Sequence, residues 1–434
     1  YTHSSWRCDC GRMADSALHE ALLVDDEPVH KPSGFFQVPR PFRRRVFLLI
    51  PPSMLAPLLG MLNLLPDLYN FSMNLAALAP LALMLATLTD ELGKHVGQVF
   101  AALINATMGN AVELIISIQA LRAGLLRLLQ LQLLGSILAN AVLLTGFCFW
   151  AGGIAHHTQH FHKKTVFATS SALLVAVLAL CIPTAYTMTL HHPADCLVRC
   201  VAPEVLSTSR GGSILLLCCY AVHVYWSTVT HPAPLCMHSP GRIPHMSLTT
   251  TIALTAATTV WIAMCSDQLF GDTNGDNVRA IEGAATELGV SPTFVALILL
   301  PNVGNAAESL SAISIAYRGR MDMALGTALG SALQLAVGIV PVLVLICWTV
   351  DIPLSLDFHL FETVVLLLSA LVVNSIVRQA ESTYLEGVLL VTSYLIIAVA
   401  FKYRSTKADF VVMLKPCDHV CPDWEAAQSD PGLG

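Results

Sequence analysis

Two short segments carry residues that an apolar chain has little structural use for. Residues 109–113 read Gly-Asn-Ala-Val-Glu and residues 304–308 read Gly-Asn-Ala-Ala-Glu, each inside an apolar run. Each is followed by a Gly-Ser pair, Gly135-Ser136 and Gly330-Ser331, and the first glycine lies 26 residues before the second in both copies (135−109 and 330−304). One matching pentapeptide would be unremarkable; motif and spacing together indicate a duplication. A carboxylate inside a membrane helix is costly and normally faces a cavity or a partner. No Lys or Arg lies inside either run within a few turns of the glutamate to neutralise it.

Helical periodicity brings more oxygen atoms alongside. Asn105, Gly109, Glu113 and Ser117 recur every four residues and share a face, and Gly304, Glu308 and Ser311 do likewise. Glycine permits a local break that frees backbone carbonyls toward the same cavity. Two carboxylates, the Asn110 and Asn305 amides and the Ser136 and Ser331 hydroxyls then make an all-oxygen site, which Asn140 and Gln334 join from otherwise apolar helices. Calcium takes six to eight such ligands in flexible geometry, and two glutamates match the charge of one divalent ion. With no cation bound, desolvation and mutual repulsion favour the protonated acids. Calcium and protons therefore compete for one set of oxygens, and competition combined with alternating access is antiport. Asp90 and Glu91 end one apolar run and Asp267 ends its counterpart; they stand either as cation entrances and proton path or as ordinary helix-end charges. Asp272, Asn274 and Asp276 do not form an EF-hand, since position 283, where a closing glutamate would stand, is glycine.

The elements that must position these groups are long apolar runs. Hydrophobic residues make up 55% of the chain and charged residues 12%, with mean hydropathy +0.66, about half the charge of a soluble domain. Runs at 46–65, 68–89, 96–121, 128–153, 166–190, 211–229, 248–270, 290–317, 322–350, 358–377 and 382–403 predict an all-α integral membrane protein of about eleven transmembrane helices. Residues 1–45 read as a disordered cytosolic tail, 46–67 as a peripheral first helix, 68–229 and 248–403 as two halves of a core, 230–247 as their linker, and 404–434 as a second polar tail. The glutamate runs are third and eighth in order, so the halves enter the membrane from opposite sides as inverted five-helix repeats. Arg40, Arg43, Arg44 and Arg45 flank the first run and place the amino terminus in the cytosol. His156, His157, His160 and His162 read either as a solvated loop or as a weak metal or pH-sensing cluster. The thirteen cysteines make no framework, no basic domain suggests nucleic acid, and the lipid bilayer is the one expected macroscopic partner. Oligomeric state is left open, and no cofactor is expected.

These residues resemble the calcium/proton exchanger family of the cation/calcium exchanger superfamily. The resemblance is carried by Leu103 to Ile118 (LINATMGNAVELIISI), Leu-Gly-Ser-Ile-Leu at 134–138 and Leu300 to Glu308 (LPNVGNAAE), and extends at lower specificity over 46–403. It implies eleven helices, a peripheral first helix with a ten-helix inverted core, cation binding at Glu113 and Glu308, and proton-driven calcium transport at the vacuolar or another endomembrane. Manganese and other divalent cations stay open as further cargo. Three positions depart from the family pattern. Ser309 stands where a histidine often follows the second glutamate, Asn302 replaces an apolar residue, and 230–247 lacks an acidic segment. Sodium-coupled exchange is the alternative; its relatives place proline before the acidic residue, whereas Val112 and Ala307 precede it here. An intramembrane enzyme would need a nucleophile or histidine cluster, and His223 stands alone near mid-span.

Overall fold

The computed structural model describes residues 53–62, 66–96, 104, 107–189, 201–230, 244, 246–270 and 280–403. Asn105, the Arg40–Arg45 cluster, the terminal cysteine pairs, most of the 230–247 linker and Asp272–Asp276 lie outside these residues. The apolar runs fold as helices, because in hydrocarbon only intrahelical bonds satisfy every backbone N–H and C=O within one segment. They are α1 (Asp67–Gly93), α2 (Ala111–Arg122), α3 (Leu126–His156), α4 (Lys163–Thr187), α5 (Pro203–Thr230), α6 (Leu248–Phe270), α7 (Ala280–Glu287), α8 (Pro292–Gly304), α9 (Ala306–Tyr317), α10 (Met321–Thr349), α11 (Leu360–Val377) and α12 (Tyr384–Tyr403).

Among the described residues, eight of these are long and apolar enough to cross a bilayer, and α8 with α9, bent by 57°, makes a ninth if the pair is taken as one span. Eleven spans are expected from sequence; the runs at 46–65 and 96–121 fall only partly on described residues, as a helix at 53–61 and as α2. Buried apolar side chains from both halves, among them Leu81, Ile116, Leu134, Leu297, Leu329 and Leu343, form one continuous core.

Contacts between helix ends fix which ends share a face. Thr158–His160 (β1) pairs antiparallel with Glu381–Thr383 (β2), joining the α3–α4 and α11–α12 connections. On this ribbon face His156 Nε2 lies 3.2 Å from the Tyr317 carbonyl at the end of α9, so it must donate. His162 pairs with Asp322 at the start of α10 (3.6 Å), and His160 with Glu381 (3.4 Å). His156 at the end of α3 and His160 and His162 in the connection after it thus stitch one half to the other. Among the described residues no group of three His, Cys, Asp or Glu side chains is placed to hold a metal.

The opposite face is tied by a buried ion pair, Arg127 Nη2 to Glu362 Oε1 at 3.0 Å, between the starts of α3 and α11. Gln130 donates to the Ser355 carbonyl at 2.7 Å and Ser209 accepts from the Leu356 amide at 2.9 Å, anchoring the segment before α11. Helix α2 ends beside the start of α3, on this opposite face, whereas α9 ends on the ribbon face.

Candidate cation site

Both glutamates occupy the same local position, the third residue of a helix. Asn110 (φ −103°, ψ 21°) precedes α2 and Asn305 (φ −83°, ψ 2°) precedes α9, so the chain breaks at the asparagines rather than at the glycines before them. Asparagine is a favoured helix N-cap, yet neither side chain caps its own helix. The Asn110 amide is instead diverted to the other half. Its Nδ2 donates to Gln334 Oε1 at 2.9 Å, and its Oδ1 accepts from Ser331 Oγ at 2.8 Å. Each glutamate therefore sits in the first turn of a helix, where the macrodipole favours negative charge.

Ser331 is the hub of this network. Its Oγ also lies 3.0 Å from Glu308 Oε2 and accepts from Asn140 Nδ2 at 3.0 Å. A hydroxyl has one proton to give. With Glu308 protonated, the acid donates to Ser331 and Ser331 donates to Asn110, so the Ser331 hydroxyl uses its one proton and accepts from Glu308 and Asn140. With Glu308 ionised, turning over the Asn110 and Gln334 amides lets Asn110 donate to Ser331 and Ser331 to the carboxylate. The same heavy-atom positions serve both protonation states.

The Glu113 side is unfilled by comparison. Glu113 is 1% exposed, and neither of its carboxylate oxygens has a hydrogen-bond partner among the described residues. Ser117 Oγ donates to Gln132 Oε1 at 3.0 Å, which sets the register of α2 against antiparallel α3. One turn further on each helix are Glu113 and Ser136, both fully buried, and Ser136 Oγ is unpartnered too. Asn140 Oδ1 and Asn305 Nδ2 add two more unpaired atoms. Gly304 closes this side: a Cβ there would stand 3.7 Å from Glu113 Oε1. Burying a polar atom unsatisfied costs roughly 1–3 kcal/mol, more if charged, so this cluster of oxygens suits an occupant it can surround.

The backbone repeats as well. Both halves wind into a π-helical turn just after their Gly-Ser pairs, at Ala139–Leu144 and Leu335–Ile339, a deviation frequent at functional sites. Residues 68–229 and 250–403 match the family described as "sodium/calcium exchanger protein". A vacuolar calcium ion transporter of Schizosaccharomyces pombe is 35% identical over 339 residues, covering 77% of this chain and 79% of that protein. A Ca(2+)/H(+) antiporter of Aphanothece halophytica is 34% identical, covering 76% and 88%. The chain belongs to the calcium/proton exchanger branch of the sodium/calcium exchanger family.

The solved structure of native YfkE is 28% identical to this exchanger, with TM-score 0.67 over 82% of this chain and 99% of that one. A structure of the H+/Ca2+ exchanger CAX, 11% identical with TM-score 0.57, shares the fold. Within the exchanger, Asn110, Glu308, Ser331, Asn140 and Gln334 are joined directly by hydrogen bonds, and Glu113 and Gly304 face each other. Ser136 and Asn305 are buried with unpaired atoms. Gly109 is exposed, with open space over its Cα.

The flanking acids lie apart from this network. Glu91 pairs with Lys94 at 2.5 Å and accepts from the Met246 amide at 3.0 Å, Asp90 lies 3.8 Å from Lys94, and Asp267 is exposed. Asn302 donates to the Ile298 carbonyl (2.6 Å) and to the Tyr394 hydroxyl (2.8 Å), so its polarity anchors α8 to α12. Ser309 gives only its backbone amide, to the Asn305 carbonyl at 2.9 Å. Gln132 is the residue that sequence reasoning missed. Its place one turn before Ser136, as an amide in an apolar run, was the available signal.

Proposed function

We propose that this exchanger is a secondary active antiporter that moves calcium across the vacuolar membrane in exchange for protons. Glu113 and Glu308 bind cation and protons alternately, with Asn110, Asn305, Ser136, Ser331, Asn140, Gln334 and the backbone at Gly109 and Gly304 completing the oxygen set; Asn105 would add its amide. The observation that carries the reading is the fully buried Glu113 carboxylate, with no partner for either oxygen among the described residues, in a helix pair that also buries the unpaired Ser136 and Asn140 oxygens. An acid so placed is satisfied by a proton or by a hard cation, and these are the two ions exchanged. The vacuolar setting and the proton partner follow those named for the relatives, including vacuolar cation/proton exchanger 3 of Oryza sativa.

In this reading residues 68–229 and 248–403 are inverted five-helix repeats, with a peripheral first helix at 46–67, a linker at 230–247 and polar tails at 1–45 and 404–434. Support comes from α2 and α9 ending on opposite faces and from the matched breaks and π-turns. Lys163, Lys164, Arg318, Arg320 and Arg378 gather at the ribbon face, which orients it to the cytosol. Asp90, Glu91 and Asp267 remain attractors of cations at the two faces rather than ligands. The test is calcium uptake into vesicles under an imposed pH gradient. Uptake that follows sodium and ignores protons would overturn the coupling.

Ser331→Ala removes the hub that serves both states of Glu308. Calcium transport at limiting calcium is expected to fall about three- to tenfold, the worth of one hydrogen bond of about 0.5–1.5 kcal/mol. Initial uptake rates against calcium concentration check this; an unchanged rate would separate Ser331 from the site.

A further inference from the structure

We propose that Ser117 and Gln132 form a second, transient oxygen subsite for the transported cation, one helical turn from Glu113 toward the face where α3 and α11 begin. The proposal rests on the calcium reading above and extends it to the route by which the ion leaves. Both side chains are buried, at 0% and 1% exposure, in a helix pair whose next turn carries Glu113 and Ser136. Among the described residues Gln132 has one partner, the Ser117 hydroxyl at 3.0 Å, and its other amide atom is buried without any. Turning the amide over leaves the bond to Ser117 intact, with Nε2 now donating to Oγ. The carbonyl oxygen then becomes the unpaired atom. The Ser117 hydroxyl, now accepting from the amide, keeps a further lone pair. Two neutral oxygens thus lie one turn, roughly 6 Å, from the carboxylate level, a step that a partly dehydrated divalent cation can take without losing all its ligands.

The other half differs at the equivalent positions. The repeat offset of 195 residues (304−109 and 308−113) puts Ala312 opposite Ser117 and Thr327 opposite Gln132. Ala312 has no oxygen to offer, and the Thr327 hydroxyl is spent on the Met323 carbonyl at 3.0 Å. A buried, half-satisfied amide on one side and a hydroxyl already bonded to a carbonyl on the other make the two repeat positions chemically unequal. Neutral oxygens bind a divalent ion weakly, which suits a point of passage rather than of rest.

The experiment measures the apparent KM for calcium separately from each face, using full-length protein reconstituted in oriented vesicles. Gln132→Leu and Ser117→Ala are each expected to raise KM from the face opposite the ribbon about tenfold, equivalent to about 1.4 kcal/mol, while KM from the ribbon face stays within about twofold. Thr327→Val, at the mirror position, should change neither. An equal rise from both faces, or no rise from either, overturns the subsite and leaves an amide satisfied by water. Should Gln132→Leu fail to fold, Ser117→Ala decides, since it deletes one oxygen. Normal transport by Glu113→Gln would instead sink the calcium reading itself, so the two failures are separable.

Discussion

Glu113→Gln and Glu308→Gln are each expected to abolish proton-driven calcium uptake, with residual rates at least about 100-fold below wild type, a loss of about 2.7 kcal/mol or more. Glutamine keeps the size and one carbonyl oxygen but neither releases a proton nor offers a negative charge. The substitutions should separate on stability. Glu113 makes no side-chain hydrogen bond, so replacing a buried unpaired acid with a neutral amide should leave the melting temperature unchanged or raise it. Glu308 is bonded through Ser331 at 3.0 Å, and its glutamine variant can keep that bond, so it too should fold. Uptake in vesicles under an imposed pH gradient, with thermal melts in detergent, reads both. Transport that survives both substitutions would remove the site; loss of transport with loss of folding would leave the chemistry unproved and require Glu113→Asp in its place.

The pair of glutamates was legible because duplication is a sequence property: motif and spacing recur whatever the chain folds into. Their helical setting was legible only in outline. Periodicity put Gly109, Glu113 and Ser117 on one face, but it could not show that the helix breaks at Asn110. That break depends on the amide being drawn across to Ser331 and Gln334, residues more than two hundred positions away. The same limit explains Asp90, Glu91 and Asp267, whose spacing in the chain suggested entrances. Lys94, which pairs with Glu91, comes from its own helix end, and the Met246 amide that bonds it comes from the linker before α6. The histidine-rich loop is a similar case. Its composition suggested metal or pH chemistry, whereas its role in the fold comes from β2 and the end of α9, which composition does not encode.

Gly135→Ala is expected to impair the exchanger far more than the same change at its repeat partner, Gly330. The sequence treats the two glycines alike, each 26 residues after its pentapeptide. Their surroundings differ. A Cβ at Gly135 would stand 2.1 Å from the Leu297 carbonyl oxygen and 2.8 Å from its carbon, with Pro301 Cγ also at 2.8 Å. Two of these atoms are backbone, in the π-turn of α8, so no side chain can rotate away. Among the described residues nothing lies within 4 Å of the equivalent point at Gly330. Forcing one methyl into so close a contact costs about 1–3 kcal/mol, and displacing α8 moves Gly304 and Glu308 with it. Gly135→Ala should therefore lower the melting temperature and reduce transport about ten- to a hundredfold, if that cost falls on the population of the competent state. Gly330→Ala should leave the melting temperature unchanged. On the alternating-access reading, however, the halves exchange roles during the cycle and Gly330 takes its turn in the tight contact. Its alanine variant should then bind calcium normally yet turn over slowly, a separation of affinity from rate that equilibrium calcium binding and uptake kinetics measure together. Normal turnover in Gly330→Ala would mean that the close approach at Gly135 is a fixed packing feature rather than half of an exchange.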